Sequence, residues 1–124
     1  MNDLERQVVQ LVLALEAVDD PELGAQLKHL EVVSRRYTGV GAYTDFASGQ
    51  IERAHPYPSG LRLGGSVIGY VGSQEQEAGF VLYVDDGMVR TLESFVYEGT
   101  WPEDAEQTFV LKSDQDEEVG RSSP

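Results

Sequence analysis

Apolar residues fall at helical spacing near the start of the chain: Leu4, Val8, Leu11, Val12 and Leu15 lie at i, i+4, i+7, i+8 and i+11, which predicts an amphipathic helix over 3–18. Asn2 followed three residues later by Glu5 has the form of a capping box, and Asp3 and Glu5 suit the positive end of the helix dipole. Asp19-Asp20-Pro21 stops this helix and opens a second, short one, with Asp20 as N-cap and Leu23, Leu27 and Leu30 on one face.

From Glu31 the period becomes two, and glycine and proline supply the punctuation. Strands are predicted at about 31–38, 40–47, 62–71, 78–85, 88–97 and 106–112, with 48–60 as a long loop. The fold class that follows is α+β: one or two N-terminal helices packed on a bent antiparallel sheet of five or six strands. A single domain is expected over 1–113. Residues 114–124, with Asp114, Asp116, Glu117 and Glu118 and no aromatic, read as a disordered acidic tail.

Asp85-Asp86-Gly87 marks a hairpin between two apolar strands. A three-residue turn with Gly87 in a bulge pairs Val84 with Met88. It collects Phe80, Leu82, Val84, Met88, Leu92 and Val96 on one face, leaving Val81, Tyr83, Val89, Thr91, Glu93, Phe95 and Tyr97 on the other. Val40–Phe46 alternates likewise, with Tyr43 and Asp45 opposite Val40, Ala42 and Phe46. With the helices on the aliphatic face, Tyr43, Asp45, Tyr83, Glu93 and Tyr97 form a candidate partner-binding surface, since tyrosine buries much area at low entropy cost and keeps a polar tip. The competing expectation is that the 48–60 loop or the Trp101 segment covers this face. Glu93 is expected to pair with Arg35 or Arg36 if their strands are neighbours.

Composition narrows the chemistry. A chain of 124 residues, 40% hydrophobic and 9% aromatic, can build one core. It has no cysteine, which excludes disulfides, thiolate metal sites, iron–sulfur clusters and thiol nucleophiles. The first residues lack the basic start of a signal peptide, and Leu11–Leu15 is too short to span a bilayer, so a cytoplasmic protein is expected. Net charge is −13, spread as −4 over 1–30, −3 over 31–97 and −6 over 98–124. So few cations argue against nucleic acid and anionic membranes, whereas a basic protein partner would be drawn in by a field that salt screens over ~8 Å.

No catalytic set or cofactor motif stands out. His29 closes a helix and suits its dipole, and His55 with Tyr57 lies in the long loop, an alternative pocket for a small enzyme or ligand-binding protein together with Glu93. Thr38-Gly39-Val40-Gly41 lacks the third glycine of a dinucleotide fingerprint, and strand-like residues follow Gly64-Gly65-Ser66 where a phosphate-binding helix should begin. No cofactor and no metal is expected. A third reading is a self-associating homodimer that hides the tyrosine face at a twofold interface.

Tyr37-Thr38-Gly39-Val40-Gly41, Thr44, Phe46, Gly79-Phe80-Val81-Leu82, Asp86-Gly87, Leu92-Glu93, Tyr97 and Trp101-Pro102 together resemble a scattered group of small uncharacterised bacterial proteins. That group is similar in style to immunity proteins of polymorphic toxin systems. The resemblance covers about half the chain, residues 37–102. It implies no reaction and no cofactor; the charge balance and the predicted face lead to the expectation of a non-catalytic acidic protein-binding module that docks a basic partner, with a toxin to be neutralised as one candidate.

Overall fold

The structure, a computed structural model, describes residues 1–47 and 60–124. Helix α1 spans Asp3–Glu16, α2 spans Pro21–Gly24, and a 3₁₀ turn follows at Leu27–His29. Both predicted starts are present: the Asn2/Glu5 capping box closes reciprocally, and Asp20 caps a helix with Pro21 in its first turn. The second helix, however, lasts four residues. Among the described residues, no helix is long and apolar enough to cross a membrane.

Among the described residues eight strands follow: β1 (Glu31–Tyr37), β2 (Gly41–Ala47), β3 (Leu61–Leu63), β4 (Val67–Val71), β5 (Gln76–Asp85), β6 (Met88–Val96), β7 (Phe109–Ser113) and β8 (Glu118–Arg121). They form one antiparallel sheet in the order β1-β2-β6-β5-β4-β7-β8, with β3 paired to β5 beside β4. The α+β class is as expected, but the strand count is larger, for two reasons. The stretch predicted as one strand over 62–71 breaks at Gly64, whose φ of 134° and contact with the Phe80 carbonyl leave no room for a side chain. Its halves pair with different parts of β5. The tail predicted to be disordered instead turns at Asp116 and pairs back on β7. Backbone pairing and a bond from the Gln7 amide to the Arg121 carbonyl at 2.9 Å hold it, contacts that composition does not display.

The sheet curls around α1. Laid flat, seven strands would separate β1 from β8 by about 29 Å at ~4.8 Å per strand. Yet Glu5 reaches Arg35 on β1, and Gln7, two residues on, reaches Arg121 on β8. The helix face that meets this trough is Leu4, Val8, Val9, Val12 and Leu13. Leu4, Val8 and Val12 were expected there. Leu15 is instead largely exposed and Leu11 only half-buried, because a sheet touching the helix from both sides selects the 5-9-13 row over the 11-15 row.

The β5–β6 hairpin corrects the predicted register. Asp86 and Gly87 both have positive φ (51° and 74°), and Asp85 pairs with Met88, which makes a two-residue turn of the kind that Asp-Gly favours. A bulge follows: Val84 faces Val89, but Tyr83 faces Thr91, so Arg90 is the extra residue. That insertion restores the parity. Phe80, Leu82, Val84, Leu92 and Val96 face the core as expected, but Val89 replaces Met88 there. Beneath the turn lies Gln26, wholly buried, whose side-chain amide donates to the Gly87 carbonyl (2.7 Å) and accepts from the Val89 N–H (2.9 Å).

Candidate functional site

The outward face of the sheet is a set of cross-strand pairs dictated by the two-residue period. Tyr43 on β2 stands directly opposite Glu93 on β6, and Asp45 opposite Thr91. The Tyr43 and Tyr83 hydroxyls donate to the two oxygens of the Glu93 carboxylate, at 3.0 and 2.7 Å. Asp45 accepts from the Ser34 and Thr91 hydroxyls, both at 2.7 Å, and these bonds hold its carboxyl below the usual value against a small opposing effect of burial. The Arg36 guanidinium lies 4.9 Å from the Tyr43 ring centroid and that of Arg62 5.4 Å from Tyr83.

Tyr43, Asp45, Tyr83 and Glu93 therefore share the predicted face. The expected ion pair to Glu93 is not what forms. Arg35 points the other way along β1 and grips Glu5 of α1, and Arg36 is separated from Glu93 by the intervening Tyr43. Phenols take the place of the arginine. Hydrogen bonding to Glu93, reinforced by its charge, raises both phenols above the ordinary tyrosine value. A phenol whose folded pKa is raised adds stability that is present below the unfolded value near ~10 and lost as pH climbs through the folded value. In Glu93→Gln, two phenols are expected to ionise at lower pH than in the parent, read by tyrosinate absorbance. An unchanged titration curve would mean that the clasp does not persist in solution.

Tyr97 lies apart from this group, past the end of β6 and 61% exposed. Its ring meets Phe95 edge-on, with centroids 5.3 Å apart, and the two rings occupy the space over Gly79 that a side chain would fill. His55 and Tyr57 fall outside the described residues, as does most of the 48–60 loop proposed to complete an alternative pocket.

The same end of the sheet collects residues that the periodicity did not single out. The Trp101 N–H donates to the Gly39 carbonyl at 2.8 Å, and the Val96 N–H to that of Val40 at 2.9 Å, so the β1–β2 turn and the segment after β6 lie side by side. Tyr37 (58% exposed) shares a cleft with Glu103 and Glu106, and Tyr97 lines a second one with Glu77 and Glu98. The Tyr37 hydroxyl bonds to Glu106 at 3.2 Å. Burial, followed by that carboxylate's charge and hydrogen bond, raises the Tyr37 phenol. The Tyr37 and Trp101-Pro102 signals were present in the sequence, but only the turn pairing brings them together.

Fold and face together define an α+β protein with a helix-filled antiparallel sheet and an aromatic, acid-rimmed end. Comparisons with protein-family models, curated proteins and solved structures find no match.

Proposed function

We propose that this chain is a non-catalytic binding protein that docks a basic protein partner, in the manner of an immunity protein neutralising a toxin. The observation that carries the reading is the end of the sheet, where exposed Tyr37 adjoins Glu103 and Glu106, and exposed Tyr97 adjoins Glu77 and Glu98. Among the described residues the nearby cation is Arg35, already clasped by Glu5. Exposed aromatic area supplies binding energy, and unpaired carboxylates of one sign supply steering and selection against acidic partners. The Tyr43–Glu93–Tyr83 clasp with Asp45 is the stiff floor beside it, since its polar atoms are already mutually satisfied. That use of Glu93 also supports a binding role over an acid–base role.

The test is a titration of isotope-labelled protein with a short arginine-rich peptide, followed by amide chemical shifts. Shifts are expected at 37–41 and 97–106, fading as salt rises, with Glu98→Lys weakening binding several-fold. Shifts confined to the acidic turn at 114–118 would assign the charge to solubility alone and remove the docking surface.

Self-association is a second reading. It draws on β1, which ends the sheet among the described residues and leaves Val33 63% exposed. The register shift at that residue and the charge of Arg36 work against edge-to-edge pairing. Sedimentation at several concentrations checks it.

A further inference from the structure

Between the β1–β2 turn and the segment after β6 lies a mostly apolar cleft of about 320 Å³, lined by Tyr37, Gly41, Trp101, Pro102, Glu103 and Glu106. This is the low end of the ~300–1,000 Å³ typical of small-molecule sites, enough for one long side chain. Its walls are fixed. The Trp101 N–H is tied to Gly39, and Pro102 packs on Gly72, where an added Cβ would lie 2.8 Å from the proline ring. Gly41 runs so close to the Ser94 carbonyl that no side chain can stand there to fill the cleft.

Three of the outward tyrosines are covered by the chain's own cations: Arg36 over Tyr43, Arg62 over Tyr83 and Lys112 over Tyr70. The cleft has the same aromatic walls and two carboxylates at its rim, yet among the described residues no cation enters it. Glu103 is exposed and has no hydrogen-bond or ion-pair partner among them. Arg35, whose charge reaches Tyr37 and Glu106, is held by two bonds to Glu5, whose charge offsets its own.

We infer that this cleft receives a single arginine side chain presented by the partner, its guanidinium stacked between Tyr37 and Trp101 and bonded to Glu103 and Glu106. Arginine fits better than lysine because its planar, weakly hydrated head stacks on aromatic faces and offers several donors to carboxylates at once. The inference rests on the basic-partner reading above and adds to it a residue type and a location.

Trp101 is the sole tryptophan, so its emission reports the cleft directly. The protein is titrated with N-acetyl-argininamide, with the lysine analogue, and with the citrulline analogue, which keeps the shape of arginine without its charge. A saturable emission change is expected with the arginine probe, several-fold weaker with lysine and absent with citrulline. The double variant Glu103→Gln/Glu106→Gln should weaken the arginine probe by about tenfold, the sum of two rim pairs. Both positions are on the surface, and unchanged circular dichroism confirms that the variant folds.

An unmoved Trp101 signal, or an equal response to citrulline, overturns the arginine site. If the arginine-rich peptide still binds the double variant with undiminished affinity, the site falls while the basic-partner reading stands. If that peptide binds neither protein, both fall.

Discussion

Replacing Glu5 with alanine is expected to lower stability by about 2–4 kcal/mol, measured by urea unfolding. This carboxylate, at 6% side-chain exposure, accepts from the Asn2 N–H (2.9 Å), the Thr44 hydroxyl (2.6 Å) and two nitrogens of Arg35 (2.9 and 2.7 Å). It joins the start of α1 to β1 and β2 at once. Removing one partner of a buried pair typically costs about 3–5 kcal/mol, because the other charge is stranded. Arg35 keeps 30% exposure, so water screens part of that loss.

Glu5→Gln separates the charge from the cap, since glutamine can also close a capping box. Burial pushes the Glu5 carboxyl up, but hydrogen bonds from Arg35, Thr44 and Asn2 and the charge of Arg35 outweigh it and hold the group below its ordinary value. A carboxyl depressed in the folded state contributes stability that is present above the unfolded pKa and lost as pH falls through the folded one. Glu5→Gln should therefore flatten the acid limb of the stability–pH curve, leaving the share due to Asp45 and Glu118, whose carboxyls are also held down. An acid limb of unchanged slope would refute the clasp.

Gln26→Leu is expected to cost about 2–4 kcal/mol, although leucine is close in volume and more apolar. The reason is the hairpin above it. Without the amide, the bond to the Gly87 carbonyl is lost and the buried Val89 N–H loses its acceptor, and leaving such a donor unsatisfied in the interior costs about 1–3 kcal/mol. Gln26→Glu is the informative companion: it can still accept from Val89 but cannot donate to Gly87 when ionised, so it should recover stability on acidification. A leucine variant as stable as the parent would show that the turn holds itself.

The two effects lie where sequence reading was least informed. Glu5 was legible as a cap, because Asn-x-x-Glu is a local signature, but its bonds to Arg35 and Thr44 span 30 and 39 residues. Gln26 carried no signal at all, being a polar residue next to a short helix. Glu16 is similar: its carboxylate accepts from the Gly64 and Ser66 N–H groups and the Ser66 hydroxyl, bracing the break between β3 and β4. The outward face was readable because parity along β2, β5 and β6 is a local property, and a bulge at Arg90 compensates the shorter turn that would have shifted it.

Local chemistry thus determined the helix starts, the alternation of strands, the turn at Asp86-Gly87 and the side of the sheet on which the tyrosines stand, since caps, periods and turn residues act within a few positions of themselves. Tertiary structure alone decided which carboxylate met which cation, that the acidic end pairs as an eighth strand, and that Tyr37, Tyr97 and Trp101 gather at one edge. Those outcomes depend on strand order and on the curl of the sheet around α1, and both are set by contacts between residues far apart in the chain.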